Sequence, residues 1–400
     1  MWGKRIVRLR NWLIGLAIGT AAAGMLTYTW NRSGQHGDKG QAPAPDSASL
    51  SLWVYSKGWD DIVHSFGQKH PNIDVNVRTF RSYEQLYTEL LAAISANAAP
   101  QLAEIHSFYG IAGLMATGAM TPAGDLEAAG DAPFVPAFTA AFRIGNKNWA
   151  MPLGGSLPLL YYREEPVKRA GGSSPAFGTW DEVMGGVSGK LAMDKEVPWF
   201  FASLGYAPNG DPASAAASRS RTFELWRNLV HGSGRMKPLQ HDTAASDFIN
   251  GKAGMFIGSS EKLPVIERYI GGKFQFELEQ LPVWEQTSVM PGVHGLAVTK
   301  SDGSRLKATQ TFLSYMAEPD TQSALWSAFG LIPSRADVIR KLEEEPGTDE
   351  RRKRILEAVP QFVARNPDYD DFRKWKQTER KLEQLELNPA EPAGDTRALY

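Results

Sequence analysis

Cysteine is missing from the 400-residue chain. Its absence excludes disulfide bonds, thiolate metal sites, cysteine nucleophiles and a lipid anchor on an N-terminal cysteine. An excess of one charge is missing as well, because Lys and Arg total 43 while Asp and Glu total 44. Nucleic-acid-binding domains are usually strongly basic. We therefore expect no nucleic-acid partner.

The common catalytic motifs are missing too. The sequence contains no Gly-x-Ser-x-Gly turn of a serine hydrolase and no His-Glu-x-x-His zinc pair. The glycine-rich stretch 185–191 resembles a phosphate-binding loop, but Leu191 stands where a hydroxyl would bind magnesium, so we interpret it as a surface turn. Active sites assembled from distant segments leave no local motif. We predict no catalytic residue, no metal and no cofactor.

The N-terminus joins basic residues to a long uncharged stretch. Lys4, Arg5, Arg8 and Arg10 precede residues 11–31, which carry no charge. As a helix rising ~1.5 Å per residue, this stretch would span ~30 Å, about the thickness of the hydrocarbon core of a bilayer. The basic flank predicts a cytoplasmic N-terminus and export of the remaining chain.

Residues 1–30 allow two interpretations. The alanines at 21–23 are typical of a signal-peptide cleavage site. Tyr28 and Trp30 suit a membrane interface and favour an uncleaved transmembrane anchor. The protein is expected at the extracytoplasmic face of the cell membrane, or secreted if the segment is cleaved. Residues 31–49, rich in Gly, Pro and Ser, predict a flexible linker.

The body of the chain alternates strand and helix patterns. Predicted strands are 50–55, 73–77, 102–106, 253–257 and 274–278, and predicted helices include 59–68, 83–94, 223–230, 312–316, 325–329 and 372–385. The initial βαβαβ order predicts an α/β fold with a mostly parallel sheet covered by helices. The charge-dense segment 343–354 is predicted to be a solvated loop.

Several local motifs follow one another in a characteristic order along residues 50–335. They are FGQKHPNIDV (66–75), APQLAEI (99–105), WAMPL (149–153), SLPLLYY (156–162), GTWDE (178–182), DFINGKAGM (247–255), PGVHG (291–295) and GLIPSR (330–335). In this order they resemble the family 1 extracellular solute-binding proteins of ABC importers, which include the maltose-binding and glycerol-3-phosphate-binding proteins.

The resemblance implies a periplasmic-binding-protein type II fold, with two α/β lobes joined by several crossings. We place lobe one at 50–154 and 288–330, and lobe two at 155–287 and 331–395. A sugar or related polar solute would bind between the lobes, and the closed form would present a surface to the permease subunits. The solute favours closure only by contacting both lobes. A monomeric, non-enzymatic receptor is expected.

Sugars are held by aromatic faces and by small polar groups. The candidate ligand-binding residues are Tyr83, His106, Ser107, Ser156, Trp199, Ser259, Ser260, Gly292 and Arg365. Several of them follow predicted strands, and parallel sheets bind ligands beyond the carboxyl ends of strands. The resemblance implies that Tyr83 and Trp199 occupy ligand aromatic positions. Glycine at 292 would allow close backbone approach.

Each candidate also has a structural interpretation. The serines suit turns or N-caps, Trp199 suits core packing, and Arg365 suits a surface charge. The likeness to the glycerol-3-phosphate branch is incomplete, because Ser107 replaces its acidic residue and Leu331 its tyrosine. Arg365 matches its phosphate-binding arginine only loosely. These departures favour an oligosaccharide.

Two other functions stay open at this level. An extracellular carbohydrate-active hydrolase would need two convergent carboxylates in the cleft. A membrane-anchored solute sensor would act on a histidine kinase instead of a permease.

Overall fold

Strands and helices alternate through the body of the chain, as the sequence predicts. The computed structural model describes residues 47–124, 134–164, 177–186, 189–194, 212–282, 290–300, 303–364 and 367–392. The helices and strands of these ranges belong to one compact unit, 48–400. The predicted anchor or signal segment, 1–30, lies outside the described residues. None of the helices within those ranges has the length and apolar character needed to cross a membrane.

The larger elements agree with the sequence-predicted strands and helices. The strands are β1 (Ala48–Val54), β2 (Ile73–Thr79), β3 (Leu102–His106), β4 (Met120–Thr121), β5 (Arg143–Ile144), β6 (Lys147–Asn148), β7 (Ala150–Ser156), β8 (Pro158–Arg163), β9 (Leu191–Met193), β10 (Met255–Ser259), β11 (Phe276–Gln280), β12 (Gly292–Thr299) and β13 (Ile332–Pro333). The α-helices are α1 (Trp59–Lys69), α2 (Tyr83–Ser95), α3 (Ile111–Ala116), α4 (Pro136–Ala140), α5 (Trp180–Gly186), α6 (Pro212–Arg227), α7 (Ala244–Ile249), α8 (Leu263–Ile270), α9 (Gly303–Met316), α10 (Pro319–Phe329), α11 (Ala336–Glu344), α12 (Glu350–Glu357) and α13 (Asp371–Leu387).

Two sheets organise these elements. The larger sheet has the order β13-β7-β12-β3-β1-β2, with β4 paired to β12, and the smaller sheet has the order β11-β8-β10-β9. In the larger sheet β1 is parallel to β2 and β3, as the initial βαβαβ order predicts. The prediction of a mostly parallel sheet is wrong beyond these strands, because β12 is antiparallel to β3, β4 and β7, and β13 is antiparallel to β7. We call the larger sheet with its covering helices lobe one, and the smaller sheet with its helices lobe two.

The chain passes from the larger sheet to the smaller sheet across a single residue, Leu157. β7 ends at Ser156 in lobe one, and β8 begins at Pro158 in lobe two. A second change falls between β11 and β12. The short β13, in the segment that the sequence assigned to lobe two, pairs with β7 in the larger sheet. The exact lobe boundaries stay a prediction.

Two glycines let other elements approach β7 closely. A Cβ on Gly154 would lie 2.6 Å from the backbone oxygen of Ile332, and one on Gly155 would lie 2.3 Å from the ring of Phe138. Both distances are shorter than any normal carbon contact. Because no side chain fits there, the pair of glycines is required by the packing of β13 and α4 against the crossing strand.

Lobe one has its core between β1 and the helices that cover it. Leu50, Leu52 and Val54 pack with Phe66 of α1 and Phe312 of α9, and all five are completely buried. Alternate residues of a strand point to opposite faces. The burial of consecutive β1 residues such as Trp53 and Val54 therefore shows that this strand is covered on both faces.

Both faces of the lobe-two sheet are buried as well. On one face, Leu160 and Tyr162 of β8 pack with Phe223 of α6. On the other face, Tyr161 packs with Phe248 of α7. This second cluster also contains residues of the larger sheet, so apolar packing is continuous from one lobe to the other at the crossing.

The prediction of a solvated loop at 343–354 is wrong for most of its length. Helix α11 continues to Glu344, and α12 begins at Glu350. Some of its charges are paired with residues outside the segment: Nη2 of Arg352 lies 2.6 Å from the carboxylate of Glu267 in α8. Charge density alone did not reveal this partner, because it lies far away in the sequence.

The C-terminal helix α13 contacts lobe one through its first half. The ring of Phe372 stacks on Tyr87 of α2, with ring centroids 4.9 Å apart. Nζ of Lys376 lies 3.0 Å from Oε1 of Glu84, also in α2. These two contacts fix the start of α13 against one helix of lobe one.

The second half of α13 belongs to the core of lobe two. Leu382 and Leu385 are buried in the cluster that includes Trp226. Nε1 of Trp226 donates to Oε1 of Glu386 over 2.8 Å, and Nε2 of His241 lies 2.6 Å from the same oxygen. One helix therefore contacts both lobes.

Candidate functional site

Strand termini from both sheets meet beside the crossing. In the larger sheet, His294 of β12 pairs with His106, the last residue of β3, and Gly292 pairs with Ser156, the last residue of β7. In the smaller sheet, β10 ends at Ser259, which pairs with Pro158 just after the crossing. Polar groups of the two sheets are thereby brought to one place.

Glu104 is a completely buried carboxylate in the middle of β3. Its Oε1 accepts hydrogen bonds from the hydroxyls of Ser56 at 2.5 Å and Tyr83 at 3.0 Å. Its Oε2 accepts from the backbone N–H groups of Tyr55 at 2.9 Å and Ser56 at 3.0 Å. A buried charge is tolerated only when it is hydrogen-bonded in this way. Both oxygens are thus held by the protein itself.

The start of α2 positions one of these hydrogen-bond donors, the hydroxyl of Tyr83. Ser82 is the N-cap of α2, because its side chain accepts from the backbone N–H of Gln85 at 3.1 Å. Tyr83 is therefore the first helical residue, and its hydroxyl contacts both Glu104 and Nδ1 of His294.

His294 lies between two carboxylates that come from different lobes. Its Nδ1 is 3.1 Å from Oε1 of Glu104 in lobe one. Its Nε2 is 3.1 Å from Oε1 of Glu261, which follows β10 in lobe two. We call Glu104, His294 and Glu261 the interlobe triad. It joins the two sheets through one imidazole ring.

The triad is ionised at neutral pH. Burial alone would lower the pKa of His294, but the charge of Glu261 and the hydrogen bonds to both carboxylates outweigh burial and raise the pKa to about 10. Burial alone would raise the pKa of Glu104 and Glu261, but His294 lowers both. Two carboxylates therefore flank one imidazolium.

The ionisation state of Glu104 and Glu261 decides whether this pair of carboxyl groups could catalyse the hydrolysis of a glycoside. A glycosidase needs one carboxyl group with a raised pKa to act as the general acid. Glu104 and Glu261 do converge, but the pKa of each is lowered and both contact the same imidazolium. Neither carboxyl of this pair has the raised pKa that a general acid needs.

Glu261 is the triad carboxylate that reaches solvent. Its side chain is 20% exposed, whereas that of Glu104 is fully buried. The hydroxyl of Ser259 accepts from the backbone N–H of Glu261 at 3.1 Å and donates to its Oε1 at 3.0 Å. These bonds fix the carboxylate at the edge of the buried site.

Ser156 is completely buried beside Glu261. Its Oγ makes no hydrogen bond of ordinary distance and angle within the described ranges, but a weaker hydrogen bond to Glu261 helps to lower the pKa of that carboxyl. A Cβ on Gly292 would lie 3.2 Å from this Oγ and 2.9 Å from Nε2 of His106, so glycine is needed here for close packing.

The other predicted serines have structural partners. Oγ of Ser107 accepts from the backbone N–H of Val293 at 3.2 Å. Oγ of Ser260 accepts from the backbone N–H of Leu157 at 3.3 Å. Together with the Ser259 N-cap, these bonds support the structural interpretation of the serines without excluding contact with a solute.

The structure brings together seven of the nine predicted residues. These are Tyr83, His106, Ser107, Ser156, Ser259, Ser260 and Gly292, which the contacts above and the 5.3 Å separation of the Tyr83 and His106 rings connect. Trp199 and Arg365 lie outside the described residues. The roles of all nine as solute contacts stay predictions.

Aromatic rings lie beside the polar groups. The ring of Tyr55 is 4.2 Å from that of Tyr83, and the ring of Tyr109 is 5.9 Å from it. Tyr55 and Tyr109 are half-buried, so each keeps some accessible surface. Aromatic faces next to carboxylate and hydroxyl acceptors suit the apolar and polar sides of a sugar.

None of the three triad residues is among the residues that the sequence predicts for the site. Glu104 and His294 appear inside recognised motifs, but neither was assigned a role. A useful signal was present, because each is an ionisable residue within an apolar strand and such a residue must be paired. Glu261 gave no such signal, since it lies in a polar segment after a strand.

Comparisons with known proteins assign the family. A family model described as bacterial extracellular solute-binding protein matches residues 61–350, and the chain belongs to this family. The sn-glycerol-3-phosphate-binding periplasmic protein UgpB of Yersinia pestis bv. Antiqua (strain Antiqua) is 23% identical over 350 residues, covering 75% of this chain and 77% of that protein. UgpB of Escherichia coli (strain K12) is 21% identical over 344 residues, covering 75% and 78%.

Solved structures show the same fold. An ABC transporter solute-binding protein of Thermotoga lettingae bound with alpha-D-tagatose has a TM-score of 0.74 and 18% identity, covering 88% of this chain and 98% of that one. UgpB from Mycobacterium tuberculosis in complex with glycerophosphocholine has a TM-score of 0.70 and 18% identity, covering 90% and 97%. The fold is that of a type II periplasmic binding protein, and members of this family bind solutes without transforming them.

Proposed function

We propose that this protein is the extracytoplasmic receptor of an ABC importer. It binds a sugar or related polar solute between the lobes and delivers it to the permease subunits. The observation that carries the proposal is the meeting of polar groups from both sheets at the crossing, where His294 of lobe one lies 3.1 Å from both Glu104 of lobe one and Glu261 of lobe two. A solute that contacts both lobes there stabilises the closed form.

The names of the relatives support the class of solute. The curated relatives bind sn-glycerol 3-phosphate, and the solved structures contain tagatose or glycerophosphocholine. These ligands are all polyhydroxylated or carry a glycerol unit. The half-buried tyrosines and the acceptors of the triad provide the two kinds of surface that such molecules need.

A binding screen tests the proposal. The exported chain is mixed with sugars, polyols and glycerol phosphates, and its thermal unfolding is measured. A ligand present at 100 times its Kd is expected to add ~2.7 kcal/mol to the free energy of unfolding. Ser156→Ala should weaken the binding of that ligand, whereas Ser323→Ala, on the exposed side of α10, should leave its binding unchanged. Absence of any stabilising solute, or turnover of a bound sugar, would contradict the receptor function.

We also propose that residues 11–31 hold the receptor at the membrane as an uncleaved anchor. The basic flank and the lack of charge in this segment support the proposal. Membrane fractionation followed by intact-mass measurement should find the full-length chain in the membrane fraction. A mature chain in the soluble exported fraction that begins after residue 23 would show cleavage instead. Light scattering of the detergent-solubilised chain tests the expected monomer.

A further inference from the structure

Among the described residues, the triad places two carboxylates around one imidazolium beside the proposed solute site. Glu104 and Glu261 each carry a charge, whereas only His294 is positive between them. In the part of the chain that the structure describes, the rings of Tyr83 and His106 also lie against the imidazole of His294. Burial and Glu104 keep the pKa of Tyr83 well above its usual value, so that hydroxyl stays neutral. Nζ of Lys262, next to Glu261 in the chain, pairs with Asp194 at 3.2 Å.

We propose that Glu261 makes the site selective for uncharged polyhydroxylated solutes and against phosphate esters. This inference rests on the proposed receptor function and names its substrate class. Glu261 is the triad carboxylate with accessible surface, and its Oε1 contacts the Ser259 hydroxyl and Nε2 of His294. Hydroxyl groups donate strongly to a carboxylate, because the charge assists the hydrogen bond. A phosphate has no such donor when fully ionised and meets the charge with repulsion in a partly desolvated site.

The same arrangement would couple solute binding to both lobes. Glu261 comes from lobe two, yet His294 of lobe one fixes its orientation. A solute hydroxyl that donates to Glu261 would therefore bind a carboxylate whose position depends on both lobes. The glycerol-3-phosphate-binding relatives are only 21–23% identical, so their ligand need not be that of this chain.

Calorimetric titration of the full chain tests the selectivity. The probes are maltose, tagatose, glycerol, sn-glycerol 3-phosphate, glycerophosphocholine and inorganic phosphate. At least one uncharged probe should bind, and each phosphate-bearing probe should bind roughly 100-fold more weakly, since like charges repel in a low-dielectric site. Glu261→Gln should weaken the binding of the uncharged ligand about 10-fold, because it removes a charge-assisted hydrogen bond. It should also reduce the difference in affinity between that ligand and the phosphate-bearing probes.

Two further variants make the result specific. Glu261→Asp keeps the charge and shortens the side chain, so it should weaken sugar binding while phosphates stay excluded. Glu318→Gln removes an exposed carboxylate that pairs with Lys69 and should change neither affinity. Phosphate esters that bind as tightly as every uncharged probe would overturn the selectivity while leaving the receptor function intact. An unchanged ratio in Glu261→Gln would also overturn it. Failure of all probes to bind would overturn both proposals.

Discussion

At the scale of single residues, the site is built around a buried charge that the protein satisfies internally. Glu104 is fully enclosed and accepts hydrogen bonds on both oxygens, including two from backbone N–H groups. His294 is equally buried and balances it. Removing one partner of a buried ion pair is costly, because the other charge stays buried without compensation.

Glu104→Gln should therefore lower the free energy of unfolding substantially. We expect a loss of about 3 kcal/mol, since an amide neither balances His294 nor accepts on both of its atoms. Urea unfolding followed by tryptophan fluorescence measures the change. Glu318→Gln, in the exposed pair with Lys69, should have little effect on the free energy of unfolding. Equal losses in the two variants would show that the Glu104 contacts do not stabilise the fold.

The residues of the site were predictable to different degrees. His106, Ser107 and Ser259 could be found because each lies at or just after the end of a predicted strand, where ligands bind in open sheets. Glu104 could not be assigned, because an apolar strand pattern does not show which buried charge faces which partner. The partner of His294 in lobe two depends on how the two sheets approach, and local sequence does not encode that.

At the scale of elements, β7 shows how sequence details serve packing. Its glycine pair, Gly154 and Gly155, precedes Ser156 and makes room for β13 and for the ring of Phe138. Strand positions could be predicted from alternation and from the turn residues, whereas the partner that requires a glycine could not.

Gly155→Ala should destabilise the protein by about 1–3 kcal/mol, the usual cost of overpacking a core. The added methyl group would strike the ring of Phe138, which is completely buried and has little freedom to move. Gly67→Ala is the matched control, because no atom lies within 4 Å of the added carbon. It should be neutral or stabilise helix α1 by up to about 1 kcal/mol. Thermal unfolding compares both variants with the unchanged protein.

The second half of α13 supplies a further comparison within one helix. Leu385→Ala should lower the free energy of unfolding by about 2–5 kcal/mol, because this side chain is completely buried in the core of lobe two. Leu387→Ala should have little effect, since that side chain is 68% exposed. Chemical denaturation measures both changes. If the two leucines cost the same, α13 would not be packed as described.

At the scale of the whole molecule, the triad links the ionisation of both lobes to stability. The fold and its two sheets could be anticipated from the order of the motifs. The sequence did not indicate that α13 contacts both lobes, because the amphipathic pattern of a helix shows that one face is buried without naming what covers it.

Stability should depend on pH in a defined direction. The pKa of His294 is raised from 6.5 to about 10, so its contribution is complete below pH 6.5 and is lost as the pH rises towards 10. The raised pKa of His241 beside Glu386 acts in the same direction. Glu104 and Glu261 have pKa values below 4.5, so their contribution is present above pH 4.5 and is lost in acid.

The melting temperature should therefore be highest between pH 4.5 and 6.5. Differential scanning calorimetry across pH 4 to pH 10, at about constant ionic strength, measures the profile. In His294→Gln the alkaline decrease should become shallower, with the part due to His241 remaining. A profile that rises steadily towards pH 10 would show that His294 is not held as a cation.

The double attachment of α13 has a mechanical consequence. Its first half is fixed to α2 by Phe372 and Lys376, and its second half to lobe two by Leu385 and Glu386. A force pulling on the C-terminus would load the lobe-two contacts first and reach those with α2 only after Leu385 has left its core. In a single-molecule pulling experiment, separation of the lobes should therefore follow the release of this helix.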